Sequence, residues 1–298
     1  AKTDKRDSLR IAQYALEKSY SLIPYTPQDQ KYEDLRFLSR QYSQRISTLT
    51  VAKVQLLSLL DETMPGITTI LPLKSRDPDN CVLLRFIKRF KSFDVIRKMG
   101  KTRFLDSYQV LVKKTKDRFA GSKGLAIYEL VLNSVTTRGE NPLSAMTQDQ
   151  CVDLVSTSQK AADEINLQMR IIAETMPEYK VLRSMAGVGD RLGPIILGEI
   201  GDIRRFHSGK ALNAYAGNDA PPYQSGQFES RNRHISKRGN PALRKACFEV
   251  MQALKLTNPV YLFLLKKEQE GKPYNVAKMA AVNKFLRIYY ARAMELYK

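Results

Sequence analysis

Apolar residues along this chain recur mostly at spacings of three and four, which predicts helices over most of its length. The longest such pattern runs from Gln28 to Glu62. Leu35, Leu38, Tyr42, Leu49, Ala52, Leu56 and Leu59 share one seam, while Arg36, Arg40, Arg45 and Lys53 lie off it. The seam holds at Arg45 only by shifting to Ile46, so the spacing predicts antiparallel packing or a short coiled coil rather than a perfect zipper. Met64, Pro65 and Gly66 stop the run. A second pattern, from Thr147 to Glu174, carries Val152, Val155, Ala162, Ile165, Met169, Ile172 and Met176 as its stripe. Two helices of similar length around a 67–146 insert predict an antiparallel hairpin, residues 25–177 in all, and its broad stripe offers a place for subunits to meet.

Shorter elements flank this hairpin. Thr3 is a predicted N-cap for a helix carrying Leu9, Ala12, Ala15 and Leu16, and Pro24 and Pro27 separate that helix from the next. Asp4 and Asp7, three residues apart, share a face of its first turn. They suit either of two roles, complementing the helix dipole or holding a hard divalent cation such as Mg²⁺ through oxygen. Within the insert, Cys81–Phe90 and Phe104–Val112 are predicted short helices. There Arg85, Phe86, Lys88, Arg89 and Phe90 interleave aromatic and basic residues. The pattern fits stacking on unpaired RNA bases, and it fits equally an amphipathic helix with phenylalanine inside and cations in water.

Pro177 opens a C-terminal domain, 178–298. Val181–Gly201 reads as a helix-hairpin-helix turning at Gly187 and Gly189, where exposed N–H groups at a helix start receive a phosphate oxygen or merely close a turn. Helices are predicted over 208–216, 241–256, 260–268 and 275–297. Ala277, Ala281, Phe285, Ile288 and Tyr289 face inward in the last, with Lys272, Lys278, Lys284, Arg287 and Arg292 as its solvated rim. Between the first and second of these elements, Ala214 to Lys245 breaks the helical pattern. Pro221, Pro222 and Gly226 make the backbone around Ser225 a shaped loop, and from Arg231 to Lys245 there are six Arg/Lys and no acid. A serine in such a loop is a turn residue on the plainer reading. On the other it is a hydroxyl positioned to reach phosphorus, with Arg231, Arg233, Lys237, Arg238, Arg244 and Lys245 around the phosphate.

Composition narrows the partners. The 298 residues carry a net charge of +19 and a pI near 9.8, which favours a polyanion, nucleic acid first among them. No apolar run is long enough to span a bilayer, and no signal peptide is present, so a membrane role is not expected. Three separated cysteines and two histidines, with no metal-ligand spacing, argue against a disulfide framework or a structural zinc and for a reducing, cytoplasmic setting.

The segments Gly201–Phe206, Tyr215–Gly217, Pro222–Gly226 and Ile235–Asn240 resemble the C-terminal domain of the IS one-ten insertion-sequence transposases, the bridge-RNA-guided serine recombinases that also include Piv-type DNA invertases. Lys2–Ser8 resembles the segment that ends that family's RuvC-like nuclease domain. The resemblance implies that Ser225 is the nucleophile joined covalently to DNA. It also implies that Asp4 and Asp7 are the last two of four metal-binding acids, with the first two expected upstream of Ala1. On that reading 1–24 is the last helix of a domain entered midway, and this piece alone holds half of a Mg²⁺ site and is not expected to be active by itself. The implied partners are double-stranded DNA (target and element ends), a structured guide RNA that selects the target, and further copies of the chain in a dimer or tetramer. The metal-bearing and serine domains are expected to meet across subunits. The expected fold is mainly α, with a RuvC-like remnant, a long antiparallel hairpin bearing a helical insert, and a helical C-terminal domain. The function so read is site-specific DNA recombination through a phosphoserine; the alternatives are a non-catalytic basic nucleic-acid-binding protein and a metal-only nuclease.

Overall fold

The computed structural model describes residues 3–21, 29–73, 77–115, 120–220, 234–255 and 257–298, together with the backbone of 224, 225, 228 and 229. The fold is mainly α, as the spacing predicts. Helix α1 (Asp4–Glu17) starts where Thr3, in extended backbone, accepts a bond from the Arg6 amide. It buries none of its residues, and Leu9, Ile11 and Leu16 remain exposed. The Pro24 and Pro27 break lies outside the described residues.

Helix α2 (Gln30–Thr63) is capped by Asp29 and ends at Met64. The insert then folds as α3 (Ile67–Ile70), α4 (Val82–Phe90), α5 (Phe93–Met99), α6 (Lys101–Lys113) and α7 (Gly124–Asn133). Helix α8 (Pro142–Glu174) returns alongside α2. It begins five residues before the predicted Thr147, because the Asn141 side chain accepts from the Leu143 amide at 2.8 Å and Pro142 sits preorganised in the first turn. The pair is antiparallel. Gln148 donates to Thr63 at 2.5 Å at the insert end, whereas Leu35 shares a core with Met169 and Ala173 at the other. The predicted seam is buried at Leu35, Leu49, Ala52 and Leu56, and Ile46 packs against the core while Arg45 is exposed.

Two cores divide the molecule. One gathers the insert and the middle of the hairpin; the other gathers the C-terminal helices with Tyr32, Leu35, Met169 and Ala173. The insert's aromatic stripe belongs to the first core, which corrects the base-stacking reading of Phe86 and Phe90. Both rings are fully buried, 4.7 Å apart, and each lies against Phe104, Phe90 at 5.2 Å and Phe86 at 6.4 Å. Burial of that much ring surface outweighs any base contact, so Arg85, Lys88 and Arg89 are left on the outer side of α4. Phe104 also stacks on Tyr108 and Tyr128, both at 5.9 Å. Phe104→Ala is therefore expected to destabilise the insert by about 3–5 kcal/mol, read as an earlier denaturant midpoint for the insert while the C-terminal core is unaffected.

The C-terminal half comprises α9 (Pro177–Ser184), α10 (Leu192–Ile200), α11 (Gly209–Tyr215), α12 (Pro241–Val250), α13 (Pro259–Gln269) and α14 (Tyr274–Met294). Helix α12 ends before the predicted Leu256, its last amides tightening onto bonds of three-residue span from Gln252 to Glu249 and from Ala253 to Val250. Helix α10 is buried almost all round and crosses α2 at Gly198, where a Cβ would stand 2.7 Å from the Leu35 Cβ and 2.9 Å from the Arg36 amide. The chain end is tied in as well, since Tyr297 and Tyr32 both donate to the buried carboxylate of Glu178. Burial and that bond push the Tyr297 hydroxyl up to about 12. Lys278 does not join the predicted rim. It is buried, with its ammonium 4.0 Å from the Phe248 ring centre and 5.2 Å from that of Tyr274, because the rings offer their negative faces in place of water. Cys81, Cys151 and Cys247 are free thiols, and no helix among the described residues is long and apolar enough to cross a membrane.

Candidate functional site

The break in helical pattern after α11 becomes a closed loop with a narrow neck. Helix α11 starts at Ser208, whose hydroxyl accepts from the Ala211 amide at 3.2 Å, and ends in the left-handed turn at Gly217. The returning strand is then stitched to the outgoing one by backbone bonds: Ser236 N–H to Asp219 O at 2.7 Å, Lys237 to Gly217 at 3.1 Å and Asn240 to Tyr215 at 2.6 Å. The Ser236 hydroxyl adds a bond to the Asp219 carboxylate. Gly239 sits where these strands touch. A Cβ there would lie 2.1 Å from Tyr215 O and 2.3 Å from Gly217 N.

The neck is bolted to both neighbouring helices. Asn240 caps α12 by accepting from the Ala242 and Leu243 amides at 3.0 and 3.1 Å, while its side-chain amide donates to Glu199 of α10 at 2.6 Å. The Tyr215 hydroxyl donates to Glu199 O at 3.1 Å, and the Arg205 guanidinium covers the Tyr215 ring at 4.5 Å. From α2, Arg40 approaches the Glu199 carboxylate at 3.7 Å and Arg36 approaches the Tyr215 hydroxyl at 3.5 Å. The loop root is thus joined to the long hairpin through the buried Glu199 carboxylate and the Tyr215 hydroxyl.

Beyond the neck, strand β1 (Gln224–Ser225) pairs antiparallel with β2 (Phe228–Glu229), Ser225 opposite Phe228. The loop expected around Ser225 is therefore a small β-hairpin at that point. Arg231 and Arg233 lie outside the described residues. Lys237 and Arg238 are exposed beside the neck, Lys237 with φ +55°. Arg244 donates to Ala216 O at 2.8 Å, so part of its donor set holds the neck rather than facing solvent, and Lys245 is exposed one residue on. The predicted hairpin at Gly187 and Gly189 joins α9 to α10. Gly187 takes φ +84°, while Arg183 pairs with Asp190 at 2.7 Å beside an exposed Gly189.

The structure therefore gathers Lys237, Arg238 and Arg244 around the root of the Ser225 loop. Asp4 is exposed and Asp7 partly so, on a helix that buries nothing against the rest. No group of three or more His, Cys, Asp or Glu able to hold a metal occurs among the described residues, so the two acids on their own supply less than a cation's oxygen shell. Sequence reasoning missed Glu199, Asn240 and Arg40 as a unit. The signal was a lone carboxylate in the otherwise uncharged Leu192–Ile200 stretch.

Parts of the chain match known proteins. Residues 179–262 match the family model described as "Transposase IS116/IS110/IS902 family", and residues 1–65 match a second one, described as a transposase of the DEDD type of IS110. An insertion element IS110 protein of 43.6 kDa from Streptomyces coelicolor is 22% identical over 292 residues, 98% of this chain and 70% of that protein. The pilin gene-inverting proteins of Moraxella bovis and Moraxella lacunata are each 33% identical over 115 residues. That stretch is 37% of this chain and 35% of theirs. The matches fall on both flanks of the insert, and one takes in the whole serine loop with its neck: over these two stretches the chain is similar to the transposases of the IS116/IS110/IS902 family.

Proposed function

We propose that this chain is the serine-bearing part of a site-specific DNA recombinase of an insertion sequence. The observation that carries the reading is the pinched neck at Gly217 and Gly239, which fixes the root of the Ser225 hairpin among cations. In the transfer, the Ser225 Oγ–P bond forms as the bond from phosphorus to a deoxyribose oxygen breaks, and the serine proton ends on the departing oxygen. The ester retains the phosphodiester's energy, so attack by a deoxyribose hydroxyl rejoins strands and restores the serine. Lys237 and Arg238, with Arg231 and Arg233, steady the extra negative charge on the phosphate oxygens.

Asp4 and Asp7 make up half of a divalent metal site on the last helix of a RuvC-like domain. A bound Mg²⁺ would neutralise phosphate oxygens. A guide RNA chooses the target, so the protein reads shape and backbone. Charge distribution supports extended backbone contact. The insert has 16 Lys/Arg against 7 Asp/Glu and residues 178–298 have 21 against 10, whereas 147–177 has 2 against 5. Within the insert, α4 and α6 bound a groove of about 660 Å³ that includes Arg85, Lys88, Arg89 and Lys114, and this is the surface for RNA phosphates. Copies of the chain assemble through the outer faces of the hairpin, where Phe37, Val51 and Val54 are exposed.

Salt dependence checks the backbone contact. The log–log slope of duplex affinity against salt is expected to be steep, and Arg238→Ala should make it shallower by about 0.9, one phosphate's worth, and weaken all duplexes alike. Paired substitutions in a DNA-cleavage assay of the full protein test the chemistry. Loss of cleavage in both Ser225→Ala and Asp4→Ala supports serine transfer with metal help. Loss in Asp4→Ala alone indicates a metal-only nuclease, and cleavage in neither the parent nor the variants indicates a binding protein.

A further inference from the structure

Beside the neck, α2, α10 and α12 enclose a cleft of about 380 Å³ that the recombinase chemistry does not use. Its apolar wall includes Leu192, Ile195 and Ala246, and Tyr42 stands on the α2 side. Arg40, Lys245 and Arg191, the last paired with Glu249 at 2.8 Å, contribute cations. The carboxylate of Glu199 also lines it, with a side chain entirely buried. One of its oxygens, Oε2, takes the Asn240 amide and faces Arg40; the other, Oε1, has no hydrogen-bond partner among the described residues. A buried carboxylate oxygen left without a donor is costly, so a donor beyond the described residues is called for.

The contents of the cleft narrow the ligand's chemistry. A bare phosphate suits the cations but would meet Glu199, and a hydrocarbon would leave Oε1 as it is. A ligand that is flat, anionic at one end and a hydrogen-bond donor at the other satisfies both ends at once. We infer that the cleft receives one unpaired nucleotide of the bound nucleic acid, its phosphate toward Arg40 and Lys245 and its base donating an exocyclic amino group to Glu199 Oε1. The inference rests on the nucleic-acid reading above and adds a base-sensing site to it. Carboxylates accept from the amino group of cytosine, and adenine and guanine carry amino groups too. Thymine and uracil have no amino group, and their one donor on that edge, N3–H, is flanked by two carbonyl oxygens that a carboxylate repels. The volume is within the range of small-ligand sites.

Fluorescence anisotropy with the 298-residue protein tests this, using an oligothymidylate octamer and the same octamer with one central dA or dC at a fixed salt concentration. The amino-bearing octamers are expected to bind about tenfold tighter than oligothymidylate. Glu199→Gln, which replaces one acceptor oxygen with a donor, should bring the three within about twofold of one another, as one charge-assisted contact is lost. Ala242→Trp, which fills the cleft from α12 and leaves Glu199 in place, should do the same, with circular dichroism melting verifying that both variants fold. Equal affinity for all three octamers in the parent overturns the cleft while leaving nucleic-acid binding intact. A preference that survives in a folded Ala242→Trp protein also overturns it. If no octamer binds at all, the inference fails together with the reading beneath it.

Discussion

Gly239→Ala is expected to lower strand transfer by about a hundredfold, the effect of displacing a reacting group by about an ångström. The reason is local and steric. The new Cβ would stand 2.1 Å from the Tyr215 carbonyl oxygen and 2.3 Å from the Gly217 amide nitrogen, and both are backbone atoms with no rotamer to change. The strands must part, and the Asn240–Tyr215 bond at 2.6 Å and the Lys237–Gly217 bond at 3.1 Å lengthen with them. Asn240 would also shift against Glu199, loosening the link from α10 to the start of α12. The atoms nearest the new Cβ are neck backbone rather than core side chains, so the main melting transition should move little and duplex affinity should change less than about threefold, Lys237, Arg238 and Lys245 being exposed. A strand-transfer assay beside a melting curve separates the two effects. Full transfer by Gly239→Ala would mean that the neck's geometry is irrelevant to the chemistry.

Much of the architecture was readable in the chain because it rests on long, strongly periodic segments. The α2 seam with its shift at Ile46, the stripe of α8, and the Thr3, Ser208 and Asn240 starts all follow from residues close in sequence. Two kinds of feature were not readable. Helices α5 and α7 are short and sit in the loosely patterned insert, and it is α5, α6 and α8 that pack around α4. Without those partners the interleaved phenylalanines and cations of Arg85–Phe90 fit a base-stacking surface as well as an amphipathic helix. Burial of Phe86 and Phe90 decides between the two, and burial is a tertiary fact. Lys278 illustrates the same limit. Its charge argues for solvent, but Phe248 comes from a different helix and supplies an aromatic face in place of water.

The candidate site was legible as a stretch but not as a structure. Glycines, prolines and six cations marked Ala214–Lys245 as special, and the family resemblance singled out Ser225. The neck depends on contacts between Tyr215–Asp219 and Ser236–Asn240 that no local pattern encodes. Its anchor, Glu199, lies in an apolar helix where a carboxylate reads as an oddity until Asn240 and Arg40 are seen beside it. That anchor joins the long hairpin to the root of the serine loop, since Arg40 and Asn240 meet the same carboxylate oxygen.

Ser225→Ala carries the largest expected effect of all. Without the Oγ no ester can form, so recombination should fall by more than about a thousandfold, the scale of losing a nucleophile outright. The alanine removes one hydroxyl and no cation, so duplex binding and its salt slope should stay unchanged. The most direct measurement is to stop a reaction of the full protein with cleavable target DNA under denaturing conditions, digest the product and map by mass spectrometry which residue holds a nucleotide. The account predicts a phosphodeoxynucleotide on the peptide containing Ser225, absent from Ser225→Ala. A nucleotide on a different residue, or the same adduct yield from Ser225→Ala, would contradict it.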